Sequence, residues 1–241
     1  MGETIQHLVL VRHGEDEGDV RRAAWKRGEL ISTTKVRELE EVTARGVEQS
    51  HRAGLWIQEY IIAAYGLVAF DGCYVSSALR SEQSATALDL AVAVWQEDHS
   101  LDERNRGRIR GLRPEQHRGL YPQSFEQMKN DPLHWLPPGG ESLVPDVTNR
   151  VRQFMENIEG ARTVLAETHR DWIWAAGIVL GFTVNTDDIH NGQIIHLTSI
   201  DPETGQQASE LLWMRSVDPT EVNGSGEWQA MQHAIGVDVA A

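Results

Sequence analysis

The stretch LVLVRHG at positions 8–14 joins four consecutive apolar residues directly to an arginine, a histidine and a glycine. Two later apolar runs also end near polar residues: residues 73–76 precede Arg80 by one helical turn, and residues 164–166 lead to His169. Short apolar runs without alternation are typical of strands that are covered on both faces. The three runs therefore predict an α/β fold with a mostly parallel central sheet between two layers of helices, a three-layer α/β/α arrangement.

Helical patterns separate and follow these strands. Apolar residues recur every three or four positions in the stretches 43–65, 78–95, 146–158 and 171–181. The last of these stretches is apolar nearly all round, which is typical of a buried helix. Two further strands, joined by a turn at 202–205, are predicted at 193–199 and 209–215.

Two polar stretches interrupt the alternation of strands and helices. Residues 14–42 predict a long active-site loop, because structureless connections of this length are uncommon in compact domains. Residues 102–142 are rich in arginine and proline and predict an inserted lid over the sheet edge, with a short helix at 125–129. We expect residues 1–241 to form a single domain, with a loose C-terminal tail from about Val217.

The composition excludes several classes of protein. The 241 residues include 36 acidic and 22 basic side chains, so the formal net charge is −14. This acidic balance argues against general binding to nucleic acid or membranes, and no apolar run approaches the ~20 residues of a membrane span. The lone cysteine, Cys73, excludes an intramolecular disulfide and a cysteine-rich zinc site. With no secretory signal visible, we expect a soluble cytoplasmic protein, whose oligomeric state the composition does not indicate.

Cationic side chains follow all three predicted strands. Arg12 and His13 end the first strand, Arg80 lies beyond the second, and His169 follows the third. Ligands of open α/β sheets bind at the carboxyl ends of the strands, so these groups are expected to form one pocket. Because arginines bind phosphate bidentately, the pattern predicts a site for the phosphoryl group of a small-molecule ester. A lone histidine at a strand end is more often structural, so the prediction rests on the three strand ends together.

Five motifs resemble those of one known family, the histidine phosphatase superfamily with its phosphoglycerate-mutase-like fold. They are LVRHGE at 10–15, SSALRSEQSA at 76–85, LDERNRG at 101–107, PGGES at 138–142 and Thr168-His169. The motifs occur in the order of the family and lie within residues 8–180. The resemblance implies the fold predicted above and an activity on phosphate esters.

The resemblance also implies roles for the residues of the predicted pocket. His13 would be the nucleophile that forms a phosphohistidine, and Arg12, Arg80 and His169 would hold the phosphoryl oxygens. Glu103 would protonate the leaving oxygen and then activate a water molecule, without a metal or other cofactor. Without its motif, Glu103 would be interpreted as a solvated glutamate. Nearby alternatives for the proton role are Asp102, Glu97 and Asp98.

The chain departs from the family pattern at three positions on the rim of the predicted pocket. Asp16 replaces a serine, Asp19 replaces an asparagine that contacts phosphate, and Arg170 replaces a glycine. A carboxylate facing a phosphate dianion is repulsive unless it is protonated or paired, so Asp19 is expected to point away or to favour acidic conditions. Arg170 must find room or become a further phosphate ligand. The acidic run at 15–17 predicts a solvated loop paired with Arg21 and Arg22.

The predicted lid carries six arginines within fifteen residues, in a chain that is acidic as a whole. They are Arg104, Arg106, Arg108, Arg110, Arg113 and Arg118. Two interpretations stay open. The arginines neutralise acidic neighbours, as charge runs usually do, or they attract a substrate with more than one anionic group.

The combined pattern predicts a metal-independent phosphomonoester hydrolase that acts on a small phosphorylated metabolite through a phosphohistidine. Phosphoglycerate mutases of the family usually carry a His-Tyr pair in the acid motif, where this chain has Asn105 and Arg106, so the phosphatase branch is favoured. A cofactor-dependent mutase is the alternative. A catalytically inactive phospho-ligand-binding module of the same fold is a second alternative, which only the substitutions at Asp16, Asp19 and Arg170 favour.

Overall fold

The computed structural model describes residues 5–29, 36–200, 206, 208, 211 and 213–219, and forms six strands and seven α-helices within them. The strands are β1 (His7–Arg12), β2 (Gly72–Val75), β3 (Trp95–Glu97), β4 (Thr163–Thr168), β5 (Ile194–Thr198) and β6 (Trp213–Val217). The helices are α1 (Glu17–Lys26), α2 (Ala44–Ile57), α3 (Leu79–Ala87), α4 (Pro114–Leu120), α5 (Pro122–Asn130), α6 (Thr148–Asn157) and α7 (Arg170–Leu180). Within this part of the chain, every helix is too short or too polar to span a bilayer.

One mixed sheet contains all of these strands, in the order β3-β2-β4-β1-β5-β6. The first four strands are parallel, β5 is antiparallel to β1, and β6 is antiparallel to β5. The predicted α/β class is therefore confirmed, with β5 as the one described strand that opposes the others. In the parallel part, the carboxyl ends of β1, β2 and β4 meet at the same edge, where ligands of such sheets bind.

Both faces of the sheet are buried against helices. Along β1, Leu8 and Leu10 belong to one apolar cluster and Val9 and Val11 to another, because successive side chains of a strand point to opposite faces. The first cluster includes residues of α6 and α7, and the second includes residues of α2. Apolar residues are needed at every one of these positions, which explains the unbroken apolar run in the sequence.

Most predicted elements are confirmed with shifted ends. The patterns at 146–158 and 171–181 correspond to α6 and α7, and those at 193–199 and 209–215 correspond to β5 and β6. The pattern at 43–65 forms α2 and a π-helical turn, Gln58–Ala63, that continues it. The turn predicted at 202–205 lies outside the described residues.

The helix predicted at 78–95 is wrong in its second half. It ends at Ala87, and Trp95–Glu97 form β3, a strand that the sequence analysis missed. Asp89 adopts a left-handed backbone with a φ of 52°, a conformation that no right-handed helix can continue. The strand lies at the sheet edge with partly or fully exposed side chains, so it lacks the apolar run that marks a buried strand.

The polar stretch at 14–42 is not a loop throughout, because it contains α1. Asp16 is the N-cap of this helix, and its side chain accepts a hydrogen bond from the backbone N of Asp19. The Asp19 side chain accepts in turn from the backbone N of Asp16, so the two carboxylates form a capping box. The sequence analysis missed the helix because an acidic run also fits a solvated loop.

The predicted lid, residues 102–142, contains α4 and α5, and the short helix predicted at 125–129 lies within α5. Trp135, which belongs to the same segment, is buried, and its indole N donates to Ser124 over 2.9 Å. That the segment acts as a lid stays a prediction, as does the single domain over 1–241. Val217 is the buried last residue of β6 and not the start of a loose tail; residues 220–241 lie outside the described residues.

The close approach of α2 to the end of α3 predicts a stability effect. A Cβ at Gly54 would lie 1.8 Å from the carbonyl oxygen of Leu88. We expect Gly54→Ala to lower the free energy of unfolding by about 2 kcal/mol or more, because backbone must move to make room, as urea denaturation would show. The matched control is Gly119→Ala in α4, where a Cβ meets no heavy atom within 4 Å. Gly119→Ala should raise the free energy of unfolding by up to about 1 kcal/mol. Equal stability of the two variants would contradict the close approach of Gly54 to Leu88.

Candidate active site

The carboxyl ends of β1 and β4 place two histidines side by side. Arg12 pairs with Thr168 in the parallel register, and the backbone N of His13 donates to the Thr168 carbonyl over 3.0 Å. The rings of His13 and His169 come directly after the two strands, with their centroids 5.1 Å apart. Both rings are buried, at 1% and 0% relative exposure. The two imidazoles predicted to share a pocket therefore lie in contact distance of each other.

The surroundings of His13 determine which of its nitrogens is protonated. Nδ1 lies 2.7 Å from the carbonyl oxygen of Gly14, which can only accept, so Nδ1 carries the proton. The other nitrogen, Nε2, then has a free lone pair. Burial, followed by the charges of Arg80 and Arg12, holds the pKa of His13 well below 6.5. The ring is therefore neutral at physiological pH, which is the form that can act as a nucleophile.

His169 is held by a chain of hydrogen bonds. Arg80, in the first turn of α3, donates from Nη2 to Nδ1 of His169 over 3.1 Å, because a guanidinium can only donate. The opposite nitrogen, Nε2, therefore carries the proton and donates to Ser76 Oγ over 2.8 Å. Ser76 Oγ donates to Asp102 Oδ1, also over 2.8 Å. Burial and the Arg80 charge keep the pKa of His169 well below 6.5, so this ring is neutral as well.

Arg12 is buried and anchored on both sides. Its Nη1 donates to the carbonyl oxygen of Ile189 over 2.7 Å, and its Nη2 lies 3.3 Å from Asp19 Oδ1. The expectation that Asp19 points away is therefore wrong, because this carboxylate is paired with Arg12, with Arg22 and with the amide of Asn191. Burial raises the pKa of Asp19, but the charges of Arg12 and Arg22 outweigh burial and hold it far below its usual value. Asp19 is thus ionised, and its position beside Arg12 does not require protonation by acidic conditions.

The sequence analysis placed Asp16 in a solvated loop, and this expectation is wrong. Its side chain is completely buried and forms an ion pair with Arg37, and its Oδ2 lies 3.2 Å from Nε of Arg80. Arg37 also pairs with the buried Glu40 over 2.6 Å, and its carbonyl oxygen accepts from Arg80 over 2.9 Å. Arg37 is thus a third arginine near the two histidines. The sequence analysis missed it because it comes from an irregular polar stretch without a motif.

Glu103 lies beside both histidines. One nitrogen of His13, one nitrogen of His169 and one carboxylate oxygen of Glu103 all lie within 4.8 Å of one another. The alternative carboxylates are engaged elsewhere. Asp102 accepts hydrogen bonds from the Ser76 hydroxyl and from the backbone N of Ser77. Asp98 caps a short 3-10 turn, and Glu97 pairs with the exposed His99.

A metal ion is one chemical possibility for this cluster, because His13, Glu103 and His169 together offer three donor atoms. His13, Asp16 and Asp19 form a second such group. Three arginine side chains lie around the same atoms, and their charges make the pocket more favourable to an anion than to a cation. The donor set therefore fits a phosphoryl group better than a metal.

The four rim arginines of this region differ in how firmly they are held. Arg104 is buried and donates to the carbonyl oxygens of Glu141 and Trp135, and Arg106 forms an ion pair with Asp171. Arg170, whose fit was left open, has a partly exposed side chain with Nε 3.6 Å from Asp171. Arg110 lies 3.9 Å from the exposed Glu38. Arg104 and Arg106 are therefore structural, whereas Arg110 and Arg170 have only weak ion pairs.

Glu167 is a buried carboxyl that the sequence analysis did not identify. It lies on β4, two positions before His169, with no exposed surface. Burial raises its pKa well above 4.5, and the Ser81 side chain and the Arg80 charge offset this only in part. Burial thus favours the protonated form of Glu167 more than water does. The sequence did not indicate this burial, because an acidic residue at the end of an apolar run is equally compatible with an exposed position.

Two cavities open at the candidate site, and five residues line both of them: Arg37, Glu103, Arg104, Arg106 and Arg110. The first, which we call the Arg12 cavity, has a volume of about 240 Å3 and extends from Arg12 towards α1 and Arg170. The second has a volume of about 390 Å3 and extends from Arg80 towards Ser76 and Asp102. Of the predicted site residues, Arg12 thus lines the first cavity, Arg80 lines the second, and Glu103 lies in the wall that both share.

Comparisons with known proteins identify the family of this chain. The family model of the histidine phosphatase superfamily (branch 1) matches residues 8–213. A 2,3-bisphosphoglycerate-dependent phosphoglycerate mutase of Rhizobium etli is 30% identical over 154 residues, which span 61% of this chain and 65% of that protein. The chain therefore belongs to the histidine phosphatase superfamily.

Solved structures share the fold at lower sequence identity. The α-ribazole phosphatase of Shigella flexneri is 18% identical with a TM-score of 0.60, covering 86% of this chain and 96% of that one. A mycobacterial glucosyl-3-phosphoglycerate phosphatase is 22% identical with a TM-score of 0.58, covering 80% and 92%. At these identities the likeness concerns the fold alone.

The pairing of Asp19 with Arg12 predicts an effect on phosphate binding. In Asp19→Asn, a phosphate dianion no longer competes with a carboxylate for Arg12. We expect inorganic phosphate to bind about tenfold more tightly, as measured by calorimetry, because one close charge repulsion is removed. Glu48→Gln, which removes a carboxylate from an exposed ion pair on α2, controls for the change in net charge. Equal or weaker phosphate binding by Asp19→Asn would show that Asp19 does not face the bound anion.

Proposed function

We propose that the protein is a metal-independent phosphomonoester hydrolase that acts on a small phosphorylated metabolite through a phosphohistidine on His13, in a reducing compartment such as the cytoplasm. The observation that carries the proposal is a neutral, buried imidazole with a free Nε2 lone pair beside two arginines, a second neutral imidazole and a carboxyl group. Neutral nitrogen is nucleophilic, and the arginines retain their charge at any working pH.

The first chemical step follows from these positions. Nε2 of His13 attacks phosphorus, the N–P bond forms, and the P–O bond to the leaving group breaks in line with it. Arg12 and Arg80 donate hydrogen bonds to the equatorial oxygens and stabilise their charge. His169 donates to a third oxygen once its Nε2–H turns from Ser76 to the phosphoryl group. Glu103 acts as the general acid and donates a proton to the leaving oxygen.

The second step returns the protein to its starting state. Glu103, now ionised, accepts a proton from a water molecule that attacks phosphorus. The N–P bond breaks, inorganic phosphate forms, and His13 regains its lone pair. The Gly14 carbonyl holds Nδ1–H throughout, so the same nitrogen reacts in each turnover.

A mutase activity is the second candidate, because the Rhizobium etli relative is named as a phosphoglycerate mutase. Two observations favour hydrolysis. The acid motif has Asn105 and Arg106 where mutases usually carry His-Tyr, and Arg106 is bound to Asp171. Two solved structures that share the fold, those of the α-ribazole phosphatase and the glucosyl-3-phosphoglycerate phosphatase, are named as phosphatases. A binding module without activity would need a disabled His13 or Glu103, and both are present.

The nucleophile is tested by His13→Ala. We expect the wild-type protein to hydrolyse para-nitrophenyl phosphate in the presence of EDTA, and His13→Ala to lose at least about 1,000-fold in kcat, because no other group supplies the attacking lone pair. Alkaline quenching of the wild type with labelled substrate should trap phosphate on His13. The matched control is His134→Ala, which removes an exposed histidine. Full turnover by His13→Ala would overturn the mechanism.

The same preparation separates hydrolysis from phosphoryl shuttling. With 3-phosphoglycerate, a phosphatase releases inorganic phosphate whether or not the bisphosphorylated cofactor is added. Formation of 2-phosphoglycerate that depends on that cofactor would instead establish the mutase.

The proton role of Glu103 is tested by Glu103→Gln. We expect kcat for alkyl phosphates to fall by about 100-fold or more, and kcat for para-nitrophenyl phosphate to fall far less, because only a poor leaving group needs the proton. Glu115→Gln, an exposed position in α4, is the control. Equal losses on both kinds of substrate would move the acid to another residue.

A further inference from the structure

A chain of hydrogen bonds links the second histidine to a carboxylate that has no part in the proposed chemistry. Nε2 of His169 donates to Ser76 Oγ over 2.8 Å, and Ser76 Oγ donates to Asp102 Oδ1 over 2.8 Å. Ser76 comes directly after β2 and is completely buried. Neither Ser76 nor Asp102 reacts in the two proposed steps. Both residues nevertheless act on a side chain that is expected to bind the phosphoryl group.

The direction of these hydrogen bonds is fixed from both ends of the chain. A carboxylate can only accept, so the hydroxyl of Ser76 donates to Asp102 and is left with lone pairs for His169. At the other end, the guanidinium of Arg80 can only donate, so Nδ1 of His169 accepts from it over 3.1 Å. The carboxylate and the guanidinium therefore assign the ring proton to the same nitrogen, Nε2.

Asp102 is held firmly enough to orient Ser76. Its Oδ1 also accepts from the backbone N of Ser77 over 3.0 Å and from the Ser77 hydroxyl over 2.9 Å. A charged acceptor polarises the hydroxyl of Ser76, which makes the oxygen a better acceptor for His169. Ser81 Oγ lies 3.5 Å from the same ring nitrogen, at the limit of a hydrogen bond. Ser76 is therefore the stronger partner of His169.

The neutral ring of His169 has a single N–H group to offer. That hydrogen cannot be donated to Ser76 and to a phosphoryl oxygen at the same time. A phosphoryl group must therefore displace the contact with Ser76 before His169 can bind it. The free energy of the displaced contact is lost from the affinity, as in any protein whose binding-competent state is not the resting one.

We propose that Ser76 and Asp102 are positioning residues, which hold His169 in a resting orientation that the phosphoryl group displaces. The inference rests on the proposed function, in which His169 binds the reacting phosphoryl group. The contact keeps the N–H of a buried imidazole paired while the site is empty. It lowers the affinity for every phosphoryl ligand, including the inorganic phosphate that the proposed hydrolysis would release.

The variant Ser76→Ala removes the resting contact and leaves every proposed phosphate ligand in place. We expect inorganic phosphate to bind this variant about five- to tenfold more tightly than the wild-type protein, as measured by calorimetry, because the N–H of His169 loses its acceptor in the empty site and regains one from the ligand. Asp102→Asn keeps an acceptor oxygen for Ser76 but removes the charge. It should give a smaller gain, of about two- to threefold.

The matched control is Ser77→Ala, which removes a hydroxyl from the same carboxylate without touching His169. Its phosphate affinity should equal that of the wild-type protein, and thermal unfolding checks that the three variants fold. A merely structural role of Ser76 would weaken phosphate binding, whereas the proposal requires a gain. Unchanged or weaker binding by Ser76→Ala, or an equal gain in Ser77→Ala, would overturn the proposal. No gain in Asp102→Asn would remove Asp102 from it.

Nitrogen-15 NMR of the histidine rings tests the resting orientation in the wild-type protein itself. The His169 signals are assigned by their loss in His169→Gln. The free protein should show a proton on Nε2 and none on Nδ1. Saturating inorganic phosphate should shift the Nε2–H resonance, because its acceptor changes from the Ser76 hydroxyl to a phosphate oxygen. An unshifted resonance, or a second proton on Nδ1 in the complex, would show that phosphate and Ser76 do not compete.

Hydrolysis of para-nitrophenyl phosphate by the same preparations separates this inference from the proposed function. Hydrolysis without a gain in phosphate affinity in Ser76→Ala would leave the proposed function standing and remove the resting contact. A gain that depends on Ser76, in a protein that hydrolyses no ester, would support the resting contact and remove the proposed function.

Discussion

The parallel pairing of β1 with β4 is the interaction on which the site depends. Its last hydrogen bond joins the backbone N of His13 to the carbonyl of Thr168, so the two histidines that follow these strands share one position at the sheet edge. Both faces of β1 and β4 are packed, and the ends of these strands are therefore rigid. Burial of the two rings in this frame keeps them neutral, and a neutral imidazole is the form that the proposed mechanism needs.

The buried arginines depend on a second constraint, the capping box of α1. Removing a guanidinium group from water is costly unless a carboxylate or carbonyl group accompanies it. Asp16 pairs with Arg80 and Arg37, and Asp19 pairs with Arg12, so the same two carboxylates start the helix and neutralise the buried arginines of the candidate site. Folding of α1 and the charge of the pocket are thus linked. Substitutions that look adverse in the sequence are compensated in the structure by opposite charges.

The sequence predicted the parts of the fold in which burial leaves a periodic pattern. The run at positions 8–11 indicated a strand covered on both faces, and α7 was recognisable because it is apolar nearly all round. The exposed edge strand β3 and the acidic start of α1 left no such pattern, so they were missed. In the candidate site, the residues that carry motifs were predicted, whereas Arg37 and Glu167 were not. Their positions depend on partners that are distant in the chain.

The sequence by itself determined the fold class, the family and the groups that can carry phosphoryl chemistry, because strand-end residues inherit their places from the sheet. Only the tertiary structure decided the electrostatic state of those groups. The protonated nitrogen of His13, the ionisation of Asp19 and the pairing of Asp16 depend on burial and on charges a few ångströms away. The same holds for the arginines of the predicted lid, which are the same residue type but have different partners. Electrostatic energies depend on distance and solvent exposure, and neither quantity can be read from the order of residues.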